Sequence, residues 1–154
     1  MFQGTGRVCG IGHSIEFDGY CFGTVNSQSD NGCDAIFAEG SHLAIINSMD
    51  TQDHIRENLE TLKIDYINQF LIGLSYEPSL KTYKFQWHDG TPLTFSDFRR
   101  PPEVLNSTEK YCVSMDKEAW MSWREYDCNE LDFVRRASLC QIGKLLTQED
   151  WSYN

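Results

Sequence analysis

The feature that most constrains this chain is its set of six cysteines, an even number without any Cys-x-x-Cys motif. In a chain of this size, that pattern favours a disulfide framework over a zinc site. Two cysteines lie close together near the start and two near the end, and the set is Cys9, Cys21, Cys33, Cys112, Cys128 and Cys140. Many pairings are possible, and spacing alone does not choose among them. Because disulfides persist in oxidising compartments, a secreted or extracellular protein is expected.

Length and charge limit the classes of partner. A chain of 154 residues predicts one domain that is large enough to bury a real core. The formal net charge of -10 at pH 7 would repel phosphate backbones, so nucleic acid is not an expected partner. No apolar run is long enough to predict a membrane span. We expect a polar expression remnant at 1–6, the domain at 7–142 and a tail at 143–154.

Motifs for catalysis or metal binding are not evident. The sequence contains no Gly-x-Ser-x-Gly, no glycine-rich phosphate loop and no His-Glu-x-x-His, so an enzyme is not predicted. The four histidines are scattered and form no His-x-x-x-His pair, so partly buried or solvated histidines are expected rather than a metal site.

Two helices and one hairpin are predicted. Asp18-Gly19 separates two short apolar segments, which is a strong hairpin signal. The first helix is predicted to start at Ser29 or Asp30 and to stop at Gly40, with an apolar face of Cys33, Ile36 and Phe37. The second is predicted to start at Ser48 or Asp50, with Ile55, Leu59 and Leu62 at helical spacing.

Short apolar runs predict strands, and one long segment lacks any pattern. The strands are expected at 42–47, 70–74, 84–87, 111–115, 119–123 and 137–142. Residues 91–110 contain three prolines and no periodicity, which is typical of a functional loop. The large aromatic residues Trp87, Trp120 and Trp123 are predicted to lie in the core.

Several of these segments carry recognisable motifs, and through them the chain resembles the C-type lectin-like domain family over roughly 9–142. Leu71-Ile72-Gly73-Leu74 is similar to the family's Trp-Ile-Gly-Leu strand, with Leu in place of Trp. Phe85 to Gly90 resembles the strand and turn that open the family's long loop, and Phe95 to Phe98 resembles an aromatic pair before the ligand loop.

The resemblance implies an α+β fold in which two helices flank short antiparallel sheets, with a long irregular ligand loop and with the termini close together. It also implies a disulfide pairing. The family's two core bridges map onto Cys33–Cys140 and Cys112–Cys128, and its long-form hairpin bridge maps onto Cys9–Cys21.

The resemblance also locates a calcium site. In sugar-binding members a calcium ion holds the sugar through one triplet in the long loop and another before the third core cysteine, supplying oxygen ligands. The matching triplets here are Pro102-Glu103-Val104 and Trp123-Arg124-Glu125. Proline and valine offer no side-chain ligand, and Arg124 is a cation without an acceptor. No resident cofactor is therefore expected. The alternative is a calcium-dependent lectin with an altered ligand set, drawn from Glu103, Asn106, Glu109 and Glu125.

The predicted function is recognition of a protein or other non-sugar extracellular ligand without calcium, with a glycan as the alternative ligand. The expected ligand surface comprises Arg99, Arg100, Pro102, Glu103, Val104, Asn106, Glu109, Trp123, Arg124 and Glu125. The basic pair Arg99-Arg100 could be salt-bridged at the surface or could contact an anionic partner. Asn106-Ser107-Thr108 is a glycosylation acceptor in the same loop, and a glycan on Asn106 would crowd that surface.

Overall fold

The computed structural model describes residues 14–26, 32–58, 62, 66–78, 85–104, 108–129 and 136–143. The described elements are eight strands and one α-helix. In chain order they are β1 (Ser14–Phe17), β2 (Tyr20–Val25), β3 (His42–Leu43), α1 (Met49–Glu57), β4 (Gln69–Tyr76), β5 (Phe85–Trp87), β6 (Tyr111–Asp116), β7 (Ser122–Asp127) and β8 (Arg136–Gly143). Within these residues no helix has the length and apolar character needed to cross a membrane.

The strands form one sheet in the order β1-β2-β8-β4-β6-β7, with β3 also on β8 and β5 also on β4. Every pair is antiparallel except β4 and β8, which run parallel with Gln69 opposite Arg136. The α+β class is therefore confirmed, while the sheet is mixed rather than purely antiparallel. The pairing of β2 with β8 joins the N-terminal hairpin to the last strand, as the resemblance implied.

Helix α1 begins where the sequence predicted. Ser48 is its N-cap, and the Ser48 hydroxyl accepts a hydrogen bond from the Thr51 amide at 3.2 Å. Ile55 is fully buried on the inner face. The helix ends at Glu57, so Leu62 is buried beyond it rather than on its third turn, and Leu59 lies outside the described residues.

The first predicted helix is a single π-helical turn, Cys33–Phe37, in the described part of that segment. Ile36 was predicted to share the apolar face with Cys33 and Phe37, and this was wrong, because its side chain is 64% exposed. A π turn is wider than an α turn, so residues four apart align on one side and Ile36 rotates towards solvent. The turn ends at Phe37, before the predicted stop at Gly40, because Ala38 is already extended. The Asp34 carboxylate accepts the Gly40 amide at 2.6 Å in the turn that follows, where φ of Gly40 is +86°.

The strand predicted at 119–123 begins later, at Ser122. Asp116 caps a short 3₁₀ turn, Lys117–Ala119, by accepting the Glu118 amide at 3.0 Å. Trp120 and Met121 then adopt positive φ of 57° and 64°. Met121 is buried and Trp120 is 80% exposed, so the core prediction is wrong for Trp120, whereas Trp87 and Trp123 are buried.

The core fixes the irregular segment in place. Trp123 is 1% exposed and makes edge-to-face contacts with Trp87, Phe95 and Phe98 at centroid distances of 5.7, 5.7 and 5.6 Å. The fully buried Gln52 of α1 accepts the Trp123 indole N–H at 3.0 Å and donates to the Met121 carbonyl at 2.8 Å. The helix, strand β7 and the segment after β5 are thus joined at one point.

The two core disulfides that the resemblance implied are confirmed. Cys33–Cys140 ties the π-helical turn to β8 across 107 residues, and Cys112–Cys128 closes the 16-residue separation around β7. Cys21 is buried on β2, but its predicted partner Cys9 lies outside the described residues, so Cys9–Cys21 stays a prediction.

Candidate functional site

The loop after β5 docks along the start of β7. The Trp123 amide donates to the Asp97 carbonyl at 2.8 Å, and the Arg99 amide donates to the Trp123 carbonyl at 3.2 Å. These two bonds, together with the aromatic packing of Phe98 on Trp123, hold the loop parallel to the strand. The result is that Arg99 and Arg100 lie beside Arg124, the next residue of β7.

The two triplets that correspond to the calcium ligands meet through one hydrogen bond. The Glu125 carboxylate accepts the main-chain N–H of Glu103 at 2.6 Å. Pro102 and Val104 are half-buried on either side, and Glu103 is exposed. Among the described residues every peptide bond is trans, including those before Pro101 and Pro102. One oxygen of the Glu125 carboxylate therefore helps to hold the loop.

Three arginines line a cavity at this place, of about 240 Å³. We call it the arginine pocket; its cations are Arg99, Arg100 and Arg124, all exposed, and its other lining residues are Asp116, Ala119, Ser122, Trp123 and Glu125. Both carboxylates of the pocket already accept main-chain amides, Asp116 from Glu118 and Glu125 from Glu103. Among the described residues neither carboxylate forms an ion pair with an arginine of the pocket, and three cations against two carboxylates leave the pocket with a net positive charge.

The side chains that line the arginine pocket do not suit a calcium ion. Calcium takes six to eight oxygen ligands, whereas guanidinium groups only donate. In the part of the chain that the structure describes, no three His, Cys, Asp or Glu residues converge closely enough to hold a metal. Of the alternative ligand set, Glu103 and Glu125 are brought together and Glu109 is half-buried, while Asn106 lies outside the described residues.

An exposed tryptophan, Trp120, lies in the turn between Ala119 and Ser122, which both line the pocket, and the sequence had predicted it in the core. Trp120 follows Ala119, a pocket residue, and its carbonyl accepts the Nε–H of Arg56 at 2.6 Å. The same arginine forms ion pairs with Asp53 at 2.6 Å and with Asp97 at 2.7 Å. The turn that carries Trp120 is thus fixed from α1. The capping Asp116 two residues before Glu118 was the available sequence signal for a turn here.

A second cavity, of about 360 Å³, opens between the β1–β2 turn and the segment after β5. Its rim carries Asp89, whose pKa is lowered because the Thr91 hydroxyl and amide donate to the carboxylate. Nearby, Nε2 of His88 lies 3.2 Å from Nδ1 of His42, and both rings approach the Leu43 carbonyl. These two histidines, one half-buried and one exposed, link β3 to the turn after β5.

Comparison with known proteins agrees with this fold. The family model for the Lectin C-type domain matches residues 26–141. The chain is 29% identical to human C-type lectin domain family 4 member E over 68% of its own length, and 24% identical to the mouse secretory phospholipase A2 receptor over 99%. It spans only 45% and 9% of those two proteins. Among solved structures, the Ca²⁺-independent C-type lectin SPL-2 from Saxidomus purpuratus superposes with a TM-score of 0.61 at 21% identity, covering 84% of this chain and 91% of that one.

Four observations agree: the six-cysteine pattern, the two core disulfides, the mixed sheet and the matching family model. This lectin-like recognition domain belongs to the C-type lectin domain family.

Proposed function

We propose that this domain is extracellular and binds a protein or other non-sugar ligand without calcium. The proposed surface comprises the arginine pocket and the neighbouring loop, namely Arg99, Arg100, Pro102, Glu103, Val104, Asn106, Glu109, Trp123, Arg124 and Glu125. Trp123 contributes as the buried support of this surface rather than as a contact residue. Asn106 lies outside the described residues, and its glycosylation stays a prediction.

The observation that carries the proposal is the replacement of calcium ligands by the arginine pocket. Two unit charges about 4 Å apart repel by about 4 kcal/mol at an effective dielectric of 20, and a dication doubles that penalty. Glu125, the remaining carboxylate of its triplet, is already bonded to the Glu103 amide. A calcium ion here would have to share that carboxylate with the Glu103 amide and would lie near the cationic Arg124, the neighbouring residue of the same triplet.

The rest of the site supports binding rather than catalysis. The Ser122 hydroxyl donates to the Ala119 carbonyl at 2.7 Å, and the other polar side chains lining the pocket are arginines and carboxylates. The described residues that line the pocket include no histidine or lysine, and the Ser122 hydroxyl donates to a carbonyl rather than to a base, so it is not activated as a nucleophile. The fold also occurs in SPL-2, which is named a calcium-independent lectin, so the fold itself does not demand the ion.

Affinity chromatography on immobilised mannose and galactose tests the proposal. The protein should pass through both columns, in calcium and in chelator alike. Retention in calcium followed by elution with chelator would establish the alternative, a calcium-dependent lectin with an altered ligand set. The variant Arg124→Asn should behave as the parent does, since it removes a repulsive charge yet leaves Pro102 and Val104 without ligand oxygens.

A further inference from the structure

The arginine pocket concentrates positive charge on a strongly acidic chain. The whole chain has a formal charge of -10, yet Arg99, Arg100 and Arg124 lie around one cavity. Two of them come from the loop and one from β7, and the Trp123 main-chain bonds hold the two segments together. Local charge opposite in sign to the whole molecule selects anionic partners at that place.

The three guanidinium groups are available to a ligand. In the described ranges none of them takes part in an ion pair, in contrast to Arg56, which has two. The two carboxylates of the pocket accept main-chain amides instead. A guanidinium presents a planar set of donors that matches a carboxylate or sulfate in a bidentate manner.

Trp120 supplies a second, independent sign of a binding surface. Its side chain is 80% exposed, and its backbone lies in the left-handed region, at φ 57° and ψ 36°. A bulky residue in that region is strained. Met121 repeats the positive φ, and Arg56 and Gln52 pin both carbonyls. Strain held in place by surrounding bonds is characteristic of functional sites.

We propose that the arginine pocket and Trp120 together bind a short acidic segment of a partner protein. This inference rests on the proposed function and names the chemistry of its ligand. An aspartate, glutamate or sulfated tyrosine of the partner would pair with the arginines, and a neighbouring aromatic or apolar residue would pack on Trp120. Tryptophan and arginine are among the residues most enriched at the interface positions that contribute most to binding energy. Clusters of arginines recognise acidic motifs in other domains.

A long polyanion fits less well than a protein segment. The cations surround one compact cavity rather than forming an extended stripe. Outside the pocket the acidic surface would repel a chain of repeated negative charges, whereas a short motif on a protein engages only the local field. The partner is therefore a protein with a local acidic motif rather than a sulfated polysaccharide.

Fluorescence anisotropy with labelled short-peptide libraries tests this. One library joins Asp, Glu or sulfotyrosine to an aromatic residue, and its matched library carries Asn, Gln and tyrosine at the same places. The acidic library should be bound and the neutral one should not, in chelator as in calcium. Binding should weaken with added salt. Arg99→Gln combined with Arg124→Gln should reduce affinity by at least about 10-fold, and Trp120→Asn by a similar factor.

Controls separate the pocket from overall charge and from folding. Lys110→Gln removes one cation outside the pocket, where Lys110 pairs with Glu77 at 3.0 Å, and should leave peptide affinity unchanged. Trp120→Asn suits the left-handed backbone, so its melting temperature should equal that of the parent or exceed it. This variant therefore tests binding rather than folding.

Several outcomes would overturn the inference. They are equal binding of the two libraries, no binding of either, loss of binding only in Lys110→Gln, or clear preference for a heparin fragment over the acidic peptides. None of these outcomes would contradict the proposed recognition of a ligand without calcium. A requirement for calcium in peptide binding would instead contradict the proposed function itself.

Discussion

The Glu125 carboxylate accepts the main-chain N–H of Glu103 at 2.6 Å, and this one bond ties β7 to the loop that precedes β6. It joins the two sequence triplets that would otherwise supply calcium ligands. The loop thereby gains an anchor of its own, since a hydrogen bond to a charged acceptor stabilises more than a neutral one.

Removing that acceptor should loosen the loop. Glu125→Ala should raise the amide hydrogen-exchange rate of Glu103 by about 10-fold, which corresponds to about 1.4 kcal/mol for the lost bond. Glu125→Gln keeps a side-chain oxygen, so the Glu103 exchange rate in this variant should lie between the rates in the parent and in Glu125→Ala. Asp127→Ala, on the same strand, removes an acceptor for Asn129 instead and should leave Glu103 unchanged. Equal protection of Glu103 in the parent and in Glu125→Ala would show that the bond does not persist in solution.

Gln52 should contribute more to stability than a glutamine normally does. It is fully buried and bonds both the Trp123 indole and the Met121 carbonyl. Gln52→Leu leaves both groups without a partner, so the free energy of unfolding should fall by about 2–4 kcal/mol in urea titration. The matched change Gln86→Leu removes an exposed bond to the Gly90 carbonyl and should cost less than about 1 kcal/mol. Similar losses for the two variants would contradict this placement of Gln52.

The backbone at Trp120 should favour glycine. Because φ is 57°, a residue without a Cβ removes the steric penalty of the left-handed region. Trp120→Gly should therefore be more stable than Trp120→Ala by about 1 kcal/mol, the reverse of the order expected in a helix or strand. Chemical denaturation of the two variants measures this difference. If alanine proves the more stable, then the turn does not hold its positive φ in solution.

The two core disulfides should differ in their contribution. Replacing both Cys33 and Cys140 by alanine opens a separation of 107 residues, against 16 for Cys112 and Cys128. In the chain-entropy model these losses are up to about 4.7 and 3 kcal/mol. Urea titration of the two double variants should rank the first as the less stable. A reversed order would mean that the entropy of the unfolded chain does not dominate their effect.

Local signals predicted some elements well. Ser48 was expected as a helix cap, because its hydroxyl can reach the Thr51 amide within one turn. The apolar runs that became β4 and β8 and the two core bridges were also predicted. The parallel pairing of β4 with β8 was not, because it joins strands about 67 residues apart whose relative direction depends on the whole topology.

The arginine pocket was only partly predicted. The sequence grouped Arg99 and Arg100 of the loop with Arg124 of the triplet before Cys128 in one ligand surface. Their convergence on one cavity depends on the main-chain bonds of Trp123 to Asp97 and Arg99. The exposure of Trp120 was predicted wrongly. Aromatic residues are usually buried, and here the buried place is taken by Met121, the second of two consecutive residues of positive φ.

The melting temperature in calcium and in chelator tests calcium-free recognition most directly. A ligand that binds only the folded state at 100 times its dissociation constant adds about 2.7 kcal/mol of stability, which shifts the midpoint by several degrees. Because Pro102, Val104 and Arg124 offer no side-chain ligand oxygen and Arg124 is a cation, millimolar calcium should leave the midpoint unchanged. A rise of several degrees in calcium that chelator reverses would contradict the calcium-free site.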